Sequence, residues 1–217
     1  MLLLAVLSPG EARAEAKPEE RTAFLMSAAA GVGLPLGEAY AGKPLADWLS
    51  VAFPLTFELG TRILGRYELA VTGTYSLGVA RSTGASGCYN ASNGCSASVG
   101  QVGLAFLWHP LGLTAVDPYL GVGVGYEWLE IRATVQGKNF DQSFGGWNVT
   151  MLQGGVDFSL GGAFTVGPYV QASLGEYLTS SYTVPTQGGG VQSGSSSVAN
   201  PAVHFWLAVG VRLVVIP

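Results

Sequence analysis

The most regular stretch of the sequence, residues 67–80, alternates between two kinds of side chain. Its odd positions carry Tyr, Leu, Val, Gly, Tyr, Leu and Val, and its even positions carry Glu, Ala, Thr, Thr, Ser, Gly and Ala. Successive side chains on a β-strand point to opposite faces, so this period of two predicts a strand with one apolar face and one small, polar face. The polar face holds a single charge, which suits a confined interior better than a water-exposed surface.

Seven further segments show the same two faces, and in residues 49–63 the charged Glu58 and Arg62 fall on the small, polar side. The seven segments are residues 22–36, 49–63, 99–109, 118–131, 147–160, 164–178 and 202–215. In residues 49–63 the alternation places Leu49 on the apolar, outward face. In residues 118–131 the phase breaks near Leu129, which indicates either a bulge or the membrane boundary. Each segment is long enough to cross a bilayer at a tilt, so the pattern predicts eight transmembrane strands.

The connections between these strands alternate in length. Residues 37–48, 81–98, 132–146 and 179–201 form long polar connections, whereas those near 64–66, 111–116 and 161–163 are short. Long outer loops and short inner turns are typical of an up-and-down barrel with both termini in the periplasm. We therefore predict an all-β fold for residues 22–217: an antiparallel up-and-down eight-stranded transmembrane β-barrel, apolar outside and polar or small inside.

The composition agrees with a membrane location. Charged residues make up 11% of the 217 residues and hydrophobic residues 48%, against roughly 25% charged residues in soluble domains. A net charge of -4, with ten scattered basic residues, argues against a nucleic-acid partner. No apolar run approaches the roughly 20 residues of a membrane-spanning helix.

The first 14 residues are expected to be a secretory signal. An apolar stretch ends in Ala12-Arg13-Ala14, which has the small-x-small form of a signal peptidase site. Cleavage after Ala14 leaves residues 15–21 as a short polar segment before the barrel. Together with the barrel pattern, this signal leads us to expect the protein in the bacterial outer membrane.

Two cysteines, Cys88 and Cys95, bracket a Gly/Asn/Ser-rich loop. In an exported protein such a pair most simply forms a local disulfide. Metal binding is the alternative, although two thiolates without a nearby histidine leave a zinc site half built. We predict the disulfide and no metal site.

Aromatic residues lie towards both ends of the predicted strands. Amphipathic rings are favoured at the two membrane-water boundaries, and the alternative is that they are ordinary packed residues of strands. The predicted girdle comprises Tyr67, Trp108 and Phe164 near the short turns and Tyr75, Tyr126 and Trp128 towards the long loops.

Two phrases resemble strand openings in a known group of proteins. They are Asp-Pro-Tyr-Leu-Gly-Val-Gly-Val-Gly-Tyr at residues 117–126 and Gly-Pro-Tyr-Val-Gln at residues 167–171. With the strand pattern of residues 21–217, they resemble the small eight-stranded outer-membrane β-barrels of Gram-negative bacteria, the superfamily of the OmpA transmembrane domain, OmpX and OmpW. The resemblance implies outer-membrane lipid, lipopolysaccharide and the barrel-assembly machinery as partners, and we expect a monomer. The chain departs from the group by ending in Pro217 rather than in an aromatic residue.

Polar residues on the inward faces form the candidate site. An isolated charge in a low-dielectric interior is costly, and eight-stranded barrels have an interior that side chains can fill. We therefore hypothesise a plug in which Arg62 and Arg212 are shared among four carboxylates. The predicted lumen network comprises Glu58, Arg62, Glu68, Glu127, Gln153, Asp157, Tyr169, Gln171, His204 and Arg212.

Catalytic interpretations are weaker. A pair of acid/base carboxylates needs a substrate cleft, which a filled narrow lumen does not provide. Gly121, Gly123 and Gly125 lie on one strand face without a following helix, so they indicate room for bulky neighbours rather than a nucleotide site. His204 and His109 are expected to form lumen hydrogen bonds. We predict no enzyme activity, no catalytic residue and no cofactor.

Two functions remain open. The first is a non-catalytic anchor whose long loops meet an extracellular ligand. The second is a narrow channel or carrier for small solutes or hydrophobic molecules, because inward glycines leave free volume. A soluble lipocalin-like carrier would need apolar residues inside and charged residues outside, which the strand faces do not supply.

Overall fold

The computed structural model describes residues 22–81, 94–112, 114–135, 138–186 and 190–217. These residues form an almost entirely β structure with one short 3₁₀ turn at Leu45–Asp47. The strands are β1 (Ala23–Tyr40), β2 (Lys43–Pro44), β3 (Leu49–Ile63), β4 (Tyr67–Ala80), β5 (Cys95–Trp108), β6 (Val116–Val135), β7 (Lys138–Gly161), β8 (Phe164–Pro185), β9 (Val191–Ser197) and β10 (Val203–Val215).

Eight of these strands close into a ring. Each of β1, β3, β4, β5, β6, β7, β8 and β10 pairs antiparallel with the next, and β10 pairs with β1 from Met26 opposite Val215 to Gly37 opposite His204. Ring order follows chain order, which makes the topology up-and-down. The predicted fold class and all eight predicted strand segments are confirmed.

The two faces of each strand separate as the alternation predicts. Phe57 is 64% exposed on the outside of the ring, whereas its neighbour Glu58 is 4% exposed inside it. Inward glycines make room for large inner side chains. A Cβ on Gly155 would overlap the phenol ring of Tyr119, so this position admits only glycine beside that tyrosine.

The polarity of the two faces reverses partway along β6. Below the reversal, Val124 and Tyr126 point outward while Glu127 points inward. Above it, the exposed Arg132 points outward while Leu129 is fully buried inside. β6 stays in continuous register with β5 across this point. The phase break near Leu129 is therefore an exchange of the apolar and polar faces and not a bulge in β6.

Three ring strands continue well beyond the reversal. β6, β7 and β8 are 20, 24 and 22 residues long, whereas β4 and β5 have 14 residues each. Residues 130–135, 138–144 and 179–185 form, with β9, a four-stranded sheet that we call the extension. The predictions of long loops at 132–146 and 179–201 were wrong for most of these residues, because Ser/Thr-rich segments pair with their neighbours instead of looping.

An apolar cap fills the inside of the ring at the level of the extension. The 3₁₀ turn places Leu45, and the following Trp48, against inward residues of the surrounding strands. The predicted outward position of Leu49 was wrong, because the register of β3 against β4 shifts between Leu49 and Val51 and turns Leu49 inward. The cap consists of Ala39, Leu45, Trp48, Leu49, Ala52, Ala97, Val99, Leu129, Ile131, Phe144, Tyr177 and Trp206.

The cap generates a stability prediction. Leu129→Ala should lower the free energy of unfolding by about 2–5 kcal/mol, because it leaves a cavity among tightly packed apolar side chains. The matched control is Val191→Ala on the exposed strand β9, where the change should stay within about 0.5 kcal/mol. Urea titration followed by the mobility of the unheated protein on gels measures both. Equal effects of the two substitutions would refute a packed cap.

Candidate functional site

Arg212 is the centre of an ionic network inside the short-turn half of the ring. Its Nη2 lies 2.9 Å from Glu58 Oε2 and 2.7 Å from Glu68 Oε1, and its Nη1 lies 3.2 Å from Asp157 Oδ2. The guanidinium also lies over the ring of Tyr119, 4.9 Å from its centroid. A planar cation with several donors can serve three carboxylates and an aromatic face together.

Arg62 forms the second half of this network. Its Nη1 lies 2.9 Å from Asp117 Oδ2 and its Nη2 lies 3.2 Å from Glu68 Oε2. His109 bridges the same two carboxylates, with Nδ1 2.9 Å from Asp117 Oδ2 and Nε2 3.2 Å from Glu68 Oε2. We call Glu58, Arg62, Glu68, His109, Asp117, Asp157 and Arg212 the arginine network.

All members of the arginine network are buried, at 4% exposure or less. Buried charges are stable only when paired and hydrogen-bonded, and an arginine that bonds several carboxylates meets this need better than isolated pairs. The hydroxyl of Ser27 adds a bond of 2.5 Å to Glu58 Oε2. The network therefore fills this half of the lumen with fixed charge.

Glu127 lies apart from both arginines, in a second cluster directly beneath the apolar cap. Its Oε2 accepts a 2.8 Å bond from Gln101 Nε2, and its Oε1 accepts one from Trp206 Nε1 at 3.0 Å. The hydroxyl of Tyr177 also donates to Oε1, and His204 Nε2 lies 3.1 Å from the same oxygen. The imidazole of His204 stacks on the Tyr177 ring with centroids 4.2 Å apart. Gln101, Glu127, Tyr177, His204 and Trp206 form the Glu127 cluster.

The remaining candidate lumen residues line the wall between these two groups. Tyr169 is buried against Gly31 and Gly210, and Gln171 lies beside a cavity of about 30 Å³. Gln153 lies opposite Gln171 on the neighbouring strand, and its amide nitrogen is buried. The cavity beside Gln171 has room for a few water molecules at most. The described residues therefore leave no continuous wide passage through the ring.

The sequence hypothesis and the geometry differ in three residues. Glu127 was assigned to the arginines, but the structure places it in its own cluster. Asp117 and His109 belong to the arginine network, although only hydrogen bonding was expected of His109 and nothing of Asp117. The alternation along β6 could have identified Asp117, because Asp117 and Glu127 both occupy odd, inward-facing positions.

No helix within the described ranges is long and apolar enough to cross a membrane. The same residues contain no group of three or more His, Cys, Asp or Glu side chains arranged to hold a metal ion.

Comparison with known proteins finds likeness in structure but not in sequence. No protein-family model and no curated protein sequence matches the chain. A major outer membrane protein of Thermus thermophilus is similar with a TM-score of 0.58 and 15% identity over 88% of this chain and 98% of that chain. OprG of Pseudomonas aeruginosa is similar with a TM-score of 0.54 and 12% identity over 92% and 99% of the two chains. Neisserial surface protein A has a TM-score of 0.51 and 14% identity over 89% and 98%.

The chain has the fold of the small outer-membrane β-barrels. In this barrel the candidate girdle residues lie on the outer face. Tyr67 and Trp108 are cross-strand neighbours at the short-turn end, and Phe164 lies at the start of β8. Tyr75 and Tyr126 are exposed, while the Trp128 indole covers Gly100.

Trp147 belongs to the same outer belt of the barrel but was not singled out from the sequence. It is exposed, and its ring meets that of Tyr126 edge-on at 5.6 Å.

The predicted disulfide stays a prediction, because Cys88 lies outside the described residues.

Removing the central arginine should weaken the barrel strongly. Arg212→Ala leaves three buried carboxylates without their main cation, so we expect a loss of roughly 3–5 kcal/mol in the free energy of unfolding. Arg132→Ala is the matched control, since that arginine is exposed on the outer face and its ion pairs contribute about 1 kcal/mol or less. Urea titration of both variants in detergent micelles makes the comparison. Unchanged unfolding of Arg212→Ala would refute the role of the network.

Proposed function

We propose that the protein is a non-enzymatic integral protein of a bacterial outer membrane. In this proposal the barrel anchors the extension outside the cell, and the extension contacts molecules there. The observation that carries the proposal is the contrast between the two halves of the molecule. The lumen is occupied by the arginine network, the Glu127 cluster and the apolar cap, whereas β6–β9 continue as a sheet with exposed polar side chains.

The reversal of polarity supports this placement in the membrane. An apolar outer face is favoured in lipid, and the charged outer face that begins at Glu130 is favoured in water. Tyr126 and Trp147 lie between the two regions, where amphipathic rings are expected at the headgroups. Outer-membrane lipid and lipopolysaccharide would surround the apolar band, and the assembly machinery would insert the barrel.

The extension supports an interaction role. Within the described part of the chain, β9 pairs only with β8, so its second edge presents backbone donors and acceptors. β9 contains no charged residue and no proline, which are the usual means of blocking an open edge. An extended segment of an extracellular protein is the ligand class that such an edge would bind.

A channel or carrier is the second candidate. The apolar lining at the level of Leu129 and Ile131 favours it, since hydrophobic molecules would enter a lumen with such walls. Leu45 and Trp48 occupy this space, however, and the cavity below measures only about 30 Å³. The packed interior therefore supports the anchor more strongly.

Labelling of intact cells tests the proposed orientation. Cys88 and Cys95 are first replaced by serine, and a single cysteine is then introduced as Ser195→Cys on β9 or as Thr114→Cys in a short turn. A membrane-impermeant maleimide should label Ser195→Cys on intact cells, and Thr114→Cys only after the outer membrane is permeabilised. The opposite pattern would place the extension in the periplasm.

Planar-bilayer recording separates the anchor from the channel. The purified barrel should give no stable conductance, because two charged or polar clusters and the cap lie in series along the lumen. A large-pore porin reconstituted in the same way is the positive control. Reproducible single-channel steps from this protein would favour the channel instead.

A further inference from the structure

Two acidic residues of the arginine network face each other directly. The register of β6 against β7 places Asp117 opposite Asp157, and both point into the ring. Directly opposed residues on one face of an antiparallel pair have Cβ atoms roughly 4.5–5.5 Å apart. Two ionised carboxylates at this spacing repel each other, and the repulsion is strongest where water is excluded.

Each of these carboxyls has one oxygen that is well bonded and one that is not. Oδ2 of Asp117 accepts hydrogen bonds from Arg62 and His109, and Oδ2 of Asp157 accepts one from Arg212. Oδ1 of each residue has no hydrogen-bond partner among the described residues. Asp117 is 3% exposed and Asp157 is 1% exposed, so bulk water does not serve these oxygens. Each carboxyl group therefore has one buried oxygen that lacks a donor among the described residues.

The net charge of the arginine network also favours a bound proton. Four carboxylates face two guanidinium groups, so with neutral His109 the described network carries two excess negative charges, and with cationic His109 one. The nearby Tyr119 adds no cation. The charged and titratable groups that surround the pair are Glu58 and Arg62 on β3, Glu68 on β4, His109 after β5, Tyr119 on β6, Tyr169 on β8 and Arg212 on β10.

We propose that Asp117 and Asp157 share one proton in the folded protein. A carboxylic acid donates one hydrogen bond, so a proton on either residue lets its hydroxyl bond the free Oδ1 of the other. The same proton removes one negative charge from the network. One bound proton thus supplies the missing donor and relieves the repulsion, while the arginines keep both Oδ2 atoms.

Infrared spectroscopy tests the proposal on the wild-type protein. A protonated carboxyl has a C=O stretch that is separate from the carboxylate bands and shifts on ¹³C labelling of aspartate. We expect such a band at neutral pH in the folded barrel in micelles, and its loss in both Asp117→Asn and Asp157→Asn. Absence of an aspartate band in the folded wild type, or its persistence in both variants, would overturn the proposal.

The pH dependence of stability gives an independent test. Unfolded aspartate releases its proton near pH 4, so above about pH 4 the folded wild type holds one proton that the unfolded chain has lost. Its unfolding constant should therefore rise about tenfold per pH unit relative to that of Asp157→Asn, until the pair titrates in the folded state. Groups that titrate equally in both proteins cancel in this ratio.

The control substitution is Asp141→Asn. Asp141 is exposed on the outer face of the extension, so the ratio of the unfolding constants of wild type and Asp141→Asn should not change with pH. If the ratio of the unfolding constants of wild type and Asp157→Asn also stayed constant with pH, the shared proton would be refuted. Stabilisation of the wild type by added divalent cations, reversed by EDTA and without a carboxylic acid band, would assign the space between the two aspartates to a metal ion and overturn the proposal.

Discussion

Closure of the ring between β1 and β10 is the constraint on which the rest of the structure depends. In a bilayer an unpaired backbone N–H or C=O costs several kcal/mol, and the pairing of Met26–Gly37 with 204–215 removes the last open edges of the ring. Closure also commits one face of every strand to a narrow interior. Because the apolar face points outward, the polar groups of the other face have to find their hydrogen-bond partners inside the ring, which explains the concentrated charge there.

The strands could be predicted from the sequence because the alternation of apolar and polar residues is visible within each segment by itself. Residues 67–80 alternate strictly, and the structure has β4 with the same limits. The extension could not be predicted in this way. β9 is Val-Gln-Ser-Gly-Ser-Ser-Ser, a composition typical of flexible loops, and it becomes a strand because β8 offers a complete edge beside it. The cap was missed for a related reason: Leu129 and Ile131 keep the inward phase of Glu127 but are apolar, whereas the outward face there carries the exposed Arg132.

The candidate site was predictable as a set of inward residues but not as a set of partners. Parity alone places Glu58, Glu68 and Arg212 inside the ring. Which of them meet depends on the stagger of strands around the ring, and this information is spread over all eight pairings. Glu127 shows the consequence, because it shares the inward phase of Asp117 but lies ten residues further along β6, beyond the reach of either arginine.

The two buried groups solve the same electrostatic problem in different ways. The arginine network balances several carboxylates with delocalised cations, which suits a part of the lumen crowded with charge. Glu127 is a single carboxylate served by an amide, a phenol, an indole and an imidazole, so its hydrogen-bond demand is met without placing a guanidinium under the apolar cap. Since Tyr177 and Trp206 belong to both the cluster and the cap, the carboxylate orients the aromatic side chains that close the lumen.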